Sequence, residues 1–135
     1  MTDLEVRESV DEELLPQLMA LYAGEWWSSK RPVEQVRALL AGSDRILALL
    51  DQGELVAFCR AITDGVILAV VLDVIVAPSR RGAGLGDHLI RELLNLMPEV
   101  RNFELVCRPD LVPFYARHGF AAPPGGSQVL RFSRT

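Results

Sequence analysis

The stretch from Leu72 to Met97, LDVIVAPSRRGAGLGDHLIRELLNLM, constrains this chain more than any other. It closes an apolar run, Val66 to Val76, that is rich in Val and Ile and interrupted only by Asp73. Such a run reads as a buried strand. A short basic turn follows, Ala77-Pro78-Ser79-Arg80-Arg81, and then Gly82, Gly84 and Gly86 alternate with Ala83 and Leu85. Leu85, Leu89, Leu93 and Leu96 then recur at helical spacing until Pro98 stops the pattern. A glycine-rich loop therefore joins the end of a buried strand to the start of a helix. Backbone N–H groups at a helix N-terminus lack intrahelical partners and carry partial positive charge. Glycines let a ligand approach them, which makes an anion site suited to phosphate.

Short motifs of this kind divide by spacing. A P-loop requires G-x-x-x-x-G-K-[ST], and no Lys follows these glycines. A dinucleotide fingerprint requires G-x-G-x-x-G, but the residue three after Gly84 is Asp87. A third pattern, Arg-x-x-Gly-x-Gly, is met by Arg81, Gly84 and Gly86. It resembles the pyrophosphate loop of the GNAT superfamily of acetyl-CoA-dependent N-acetyltransferases. Without a ligand the same residues would be a Gly-rich strand-to-helix turn. A second stretch, Val112-Pro113-Phe114-Tyr115-Ala116-Arg117-His118-Gly119-Phe120, resembles that family's later motif, a helix ending in F-Y-x-x-x-G-F. The resemblance runs from about Val6 to Phe132. It is closest to small bacterial members and to plant plastid amine and lysine acetyltransferases, which are similar to this chain also at Ala57 to Ala61 with Asp64, and at Asp73 to Val76.

With 135 residues the chain suits a single domain, residues 1–135, able to bury a core without metal or disulfide. Half its residues are hydrophobic and mean hydropathy is +0.20, which argues against extensive disorder. A net charge of −4 disfavours nucleic acid as a partner, while the local basic residues near Arg80 suit a polyanionic cofactor. Cys59 and Cys107 lie in apolar runs and read as buried reduced thiols, and no Cys/His spacing suggests a metal. The acidic start MTDLEVRESVDEE has no apolar core of a signal peptide, and no apolar run is long enough to span a membrane. The expected location is the cytoplasm, and a homodimer is compatible with such a domain.

Taken in order, the chain predicts a strand over Asp3–Glu8 and a helix capped by Ser9 or Asp11 that presents Leu14, Leu18 and Leu21. Gly24 ends that helix. A loop from Glu25 to Pro32 leads to a second helix, Val33–Leu40, closed by Gly42. Strands are expected over Ile46–Leu50, Leu55–Ile62 and Val66–Val76, with turns at Gln52-Gly53 and Asp64-Gly65. After the glycine-loop helix come a strand over Asn102–Cys107, a helix over Leu111–His118, and a last strand over Gln128–Phe132. The order β-α-α-β-β-β-α-β-α-β predicts an α/β (α+β) fold with a mixed, mostly antiparallel sheet and helices on both faces. It is also the GNAT order.

The resemblance implies transfer of acetyl from a thioester to an amine, directly and in a ternary complex. Acetyl-CoA is then the co-substrate and no metal takes part. It places the pyrophosphate over Arg81, Gly82, Ala83, Gly84, Leu85, Gly86 and Asp87, and the pantetheine along the backbone of Val74, Ile75 and Val76. Tyr115 matches the family's common general acid, and is otherwise a ring packed beside Phe114 and Phe120. Arg108 stands near a place where the family often has a pantetheine-binding Asn. Asp73, a charge inside an apolar strand, needs either a partner or a task. It is a candidate proton acceptor, or a structural carboxylate bonded to Arg60 or to backbone N–H groups. Trp26, Trp27 and Arg31, with Arg60, are candidates for the acceptor cleft, where an aromatic pair could hold an ammonium group. Core packing by one Trp and surface contact by the other is the alternative. His88 and His118 read as surface or capping residues. Two rival functions are a non-catalytic acyl-CoA sensor on the same fold and an acyltransferase for a longer acyl-CoA.

Overall fold

A computed structural model describes residues 4–134. The sheet is built by runs that are apolar on both faces. In β2 (Arg45–Asp51), Ile46, Ala48 and Leu50 point to one side while Leu47 and Leu49 point to the other, and all five are buried. This is the side-chain alternation of a strand with helices above and below it. The sheet order is β1 (Glu5–Arg7), β2, β3 (Glu54–Thr63), β4 (Leu68–Val76) and β5 (Asn102–Glu104). All pairs are antiparallel except β4 with β5. On one face lie α1 (Leu15–Ala23) and α2 (Val33–Gly42), whose Leu18, Tyr22 and Val36 meet Phe58 and Ile75. On the other lies α3 (Leu85–Leu96), where Leu89 and Leu93 meet Val56, Cys59 and Val71. The short α4 (Val112–Ala116) follows a 3₁₀ turn over Pro109–Leu111.

Local sequence explains most boundaries. Pro16 occupies the first turn of α1, where its missing N–H costs nothing, and Asp11 accepts the N–H of Leu14 at 2.9 Å just ahead of it. Gln52 and Gly53, at φ 51° and 82°, close the β2–β3 hairpin with the left-handed pair that suits strand twist. Asp64 Oδ1 accepts the N–H groups of Val66, Ile67 and Leu68. That claims Val66 and Ile67 for a turn, so the long strand starts at Leu68 rather than at Val66.

Other expectations shorten as well. The first strand is Glu5–Arg7, and Asp3 lies outside the described residues. The fifth strand ends at Glu104, not Cys107, and the helix expected over Leu111–His118 is a single α turn and a half with its 3₁₀ lead-in. Gln128–Phe132 is not a strand: Leu130 and Phe132 are exposed. Gly125 and Gly126, both at positive φ, turn the chain after Pro124, and β5 offers only three residues as an edge to pair with.

One irregularity matters most. Phe58 pairs with Ile75 and Arg60 with Leu72, so Cys59 on β3 faces two residues, Asp73 and Val74, on β4. This is a β-bulge, and Asp73 sits in it at φ 55°. Its carboxylate accepts three side chains: Tyr22 Oη at 2.8 Å, Arg31 Nη1 at 2.8 Å and Arg60 Nε at 2.7 Å. Burial opposes its ionisation, but the bonds from Arg31, Arg60 and Tyr22 outweigh burial and hold the carboxyl below its ordinary range. Burial, with the neighbouring Asp73, pushes the Tyr22 phenol well up.

A group with a lowered native pKa contributes stability above its unfolded pKa, about 3.9 for Asp. That contribution is lost as pH falls through the native value. Asp73→Asn keeps the size and the tolerance for positive φ but removes the charge. We expect it to cost about 3 kcal/mol in urea unfolding at pH 7, because two arginines are left unpaired in a mostly buried site. The gap between variant and wild type should shrink below pH 4. A gap independent of pH would show that the charge is not what the bulge needs.

Candidate active site

The bulge and the short fifth strand together open the sheet. β4 and β5 pair only at Leu68–Asn102, Ala69–Phe103 and Val70–Glu104. Beyond Val70, β4 runs on to Val76 with no strand of the described residues on that side. A cavity of about 640 Å³ lies here, lined by Val74 and Val76, the loop residues Gly82 to Asp87 except Ala83, and Tyr115. Trp26 and Trp27 from the α1–α2 loop close its other wall. The unpaired edge of a strand offers its amide groups to an extended ligand, much as it would to another strand.

At one end of this edge stands the glycine loop. Gly82 and Gly84 have φ of 85° and 84°, a conformation that side chains other than glycine rarely take, and the space over both is open. Gly84 is the residue before α3, and no side chain caps the helix. Among the described residues, no loop or side-chain acceptor meets the N–H groups from Gly82 to Asp87. They are thus available to an anion at the positive end of α3. Gly86 has a different reason to be glycine. A Cβ there would sit 3.1 Å from the Phe114 ring, so this glycine lets α3 dock on α4.

Asp87 contributes its backbone, not its side chain. Its carboxylate accepts Arg117 Nη2 at 3.0 Å and lies 2.7 Å from His118 Nε2. These contacts, His118 first, lower its pKa and fasten α3 to the segment after α4. His118 is therefore a buried strut rather than a surface or capping residue.

Arginines surround the groove, and each already has an acid. Arg80 binds Asp51 at 2.6 Å and Glu54 at 2.9 Å. Arg81 binds Glu25 at 2.9 Å, Arg108 lies 3.4 Å from Asp110, and Arg117 holds Asp87. The more exposed of these pairs, Arg81 with Glu25 and Arg108 with Asp110, can exchange partners at little cost. A polyanion entering the groove would find cations that weak internal pairs have kept in place.

Tyr115 is buried to 7% exposure between Phe114 and Phe120, with ring centroids 4.9 and 5.8 Å away, and it lines the groove. Burial, and secondarily the nearby thiols of Cys107 and Cys59, push its phenol up to about 12. It stays protonated across any ordinary pH and so keeps a proton to donate in a hydrogen bond.

Of the residues singled out from sequence, the fold brings Trp26, Trp27, Val74, Val76, Arg81, the loop and Tyr115 to one groove. Ile75 faces the opposite core, against α1. Asp73, Arg31 and Arg60 lie behind the groove wall. Arg31 is stacked between Tyr22 and Trp27, at 5.0 and 5.4 Å from their ring centroids. Arg60 is held by Asp73 and the Ser43 hydroxyl. Glu25, Tyr22 and Arg117 were not singled out from sequence. Glu25 reads only as a loop acid, and its meeting with Arg81, 56 positions away, leaves no local signal.

Comparison with known proteins agrees with this geometry. The Acetyltransferase (GNAT) family matches residues 8–120. A serotonin N-acetyltransferase 2, chloroplastic, of Oryza sativa subsp. japonica is 37% identical over 112 residues, covering 78% of this chain and 56% of that protein. An uncharacterized N-acetyltransferase, ycf52, of Pyropia yezoensis is 34% identical over 103 residues, covering 72% and 59%. The chain thus spans a little under three-fifths of these relatives. A GNAT-family acetyltransferase from Streptococcus pneumoniae superposes with a TM-score of 0.80 at 26% identity, over 100% of both chains. With the family matched from residue 8 to 120 and the fold matched over its whole length, this chain belongs to the GNAT family of acetyltransferases.

Proposed function

We propose that this protein moves acetyl from acetyl-CoA to the nitrogen of a primary amine, by direct transfer within a ternary complex. The observation that carries this reading is the free edge of β4 between Val70 and Val76, running into a glycine loop with open N–H groups. Pantetheine is an extended chain with amides, suited to that edge, and pyrophosphate is an anion suited to the loop. The Val74 and Val76 main chain and the Gly82–Asp87 N–H groups would hold the cofactor. The rice relative is named as a serotonin N-acetyltransferase, and N-acetyl transfer requires an amine.

The amine nitrogen attacks the thioester carbonyl carbon. A C–N bond forms, the C–S bond breaks, and the nitrogen loses a proton while the thiolate gains one. Main-chain N–H groups on the unpaired part of β4 would be the donors to the developing oxyanion. Tyr115 assists the leaving sulfur. A phenol near 12 is a weaker acid than a thiol near 8.5, so full proton transfer from Tyr115 is uphill. Its role is to donate a hydrogen bond as charge builds on sulfur, and the final proton comes through water. Asp73 is a positioning residue in this scheme. Its oxygens already accept three donors and its lowered pKa makes it a poor base. A groove that includes Tyr115 favours an enzyme over an acyl-CoA sensor, and an amine panel with thiol detection separates the two, while acyl-CoAs of increasing length address chain preference.

Two outcomes follow. CoA at about one hundred times its Kd should stabilise the protein by about 2.7 kcal/mol, seen as a rise in Tm. Gly84→Val should lower the basal Tm slightly, through strain at positive φ, and abolish the CoA increment. An increment that persists would move the pyrophosphate off this loop.

Tyr115→Phe keeps the ring contacts and tests the hydroxyl alone. Turnover should fall by about 100-fold, the lower end of general-acid effects, with acetyl-CoA affinity little changed. Because the phenol titrates at about 12, the wild-type rate should rise with pH as the amine loses its proton and should not fall again below about pH 10. A falling limb near neutrality that disappears in Tyr115→Phe would contradict this account of the phenol.

A further inference from the structure

Resting on this reading of the groove, we propose that Glu25 is the carboxylate that receives the cationic amine of an acceptor with a flat apolar body. Arg81 covers it until the pyrophosphate draws that arginine away. Arg81 makes two contacts here. Its Nη2 donates to Glu25 Oε1 at 2.9 Å, and its Nε donates to the carbonyl of Val76 at 3.1 Å. The second contact takes one of the acceptors on the free edge of β4, the edge that suits an extended amide ligand. The first takes the charge of a carboxylate that lines the groove. Arg81 therefore blocks a cofactor position and an acid at once, and a ligand anion at the glycine loop, which begins at the next residue, competes for the same guanidinium. A pyrophosphate pairs with a guanidinium through two parallel bonds and carries two negative charges to the carboxylate's one, so it is the stronger competitor.

What Arg81 leaves behind is specific. The groove-facing carboxylates are Glu25, Asp87 and Asp110. Asp87 is fastened by Arg117 and His118, and Asp110 lies beside Arg108. Asp73 sits behind the wall with three donors on its oxygens. Glu25 has Arg81 as its one side-chain partner among the described residues. Once uncovered, its carboxylate shares the groove with Trp26, which is 76% exposed, and Trp27, whose ring is backed by the anchored Arg31. A carboxylate beside exposed indole faces is a site for an ammonium group carried on an aromatic or similarly flat body.

The test uses the full chain, desacetyl CoA and 2-phenylethylamine, which cannot react without an acetyl group. Glu25→Gln removes the charge and keeps the shape. By calorimetry, Glu25→Gln should bind CoA about two- to fivefold more tightly than wild type, because the competitor for Arg81 is gone. Wild type should bind the amine at least about tenfold more tightly with saturating CoA than without it. Glu25→Gln should lose that gain, and Trp26→Ala should weaken amine binding while leaving CoA affinity unchanged. Equal or weaker CoA binding by Glu25→Gln overturns the exchange. Amine affinity in wild type that ignores CoA, or that survives Glu25→Gln, overturns the acceptor assignment. If wild type binds no CoA at all, the N-acetyltransferase reading falls and takes this one with it. That outcome is distinct from a wild type that binds CoA and is indifferent to Glu25.

Discussion

The carboxylate of Asp73 ties the two halves of this fold together. It sits in the bulge of β4 and takes a hydrogen bond from α1 through Tyr22, from the following loop through Arg31, and from β3 through Arg60. A charge in such a place is costly unless its partners are held in good geometry. Here the partners are what the structure needs to hold. Tyr22 is fully buried against Phe58, and Arg31 stacks on Trp27. The carboxylate thus fixes the bulge and, through Arg31, the ring that walls the groove. A two-for-one bulge also bends the strand it interrupts. The edge of β4 that faces the groove begins near that bend.

Function in this chain depends on structure left undone. A sheet strand is satisfied when both edges are paired, yet β4 is paired to β5 over three residues only. A helix start is satisfied when a side chain caps it, yet α3 has none. The two omissions meet at the same groove, where one offers amide groups in a line and the other offers N–H groups in a cluster. The arginines around them are neutralised in pairs, which reconciles an acidic protein with a site for a polyanion. On the proposed reading, binding there would be an exchange of ion partners, with a salt dependence milder than the number of arginines suggests.

How much of this the sequence disclosed depended on how local the cause was. The helix of Leu85, Leu89 and Leu93, the hairpin at Gln52-Gly53 and the loop of Gly82 and Gly84 follow from period and turn chemistry within a few residues. Asp73 stood out as a charge in an apolar strand, and Arg60, 13 positions away, was legible as a partner, but Arg31 and Tyr22 lie 42 and 51 positions away and only the fold could select them. Glu25 had no signal, because its meaning comes from Arg81. The start of the long strand at Leu68 was hidden since Val66 and Ile67 are strand-forming residues that one side chain, Asp64, holds in a turn. The tail over Gln128–Phe132 shows the converse. Its composition suits a strand, but strand formation needs an edge to join, and β5 offers three residues.

The glycines carry the same lesson at atomic scale. Gly82, Gly84 and Gly86 alternate in sequence and look like one motif with one purpose. Gly82 and Gly84 are required by backbone sign and leave open space above the helix start. Gly86 is required by the Phe114 ring at 3.1 Å from where its Cβ would be. The ring so seated lies 4.9 Å from that of Tyr115, centroid to centroid. The third glycine therefore acts through packing: by letting α4 approach α3, it seats the Phe114 ring beside Tyr115. Open N–H groups at the helix start and placement of the phenol, which look like separate requirements, are thus joined through one short stretch of glycines.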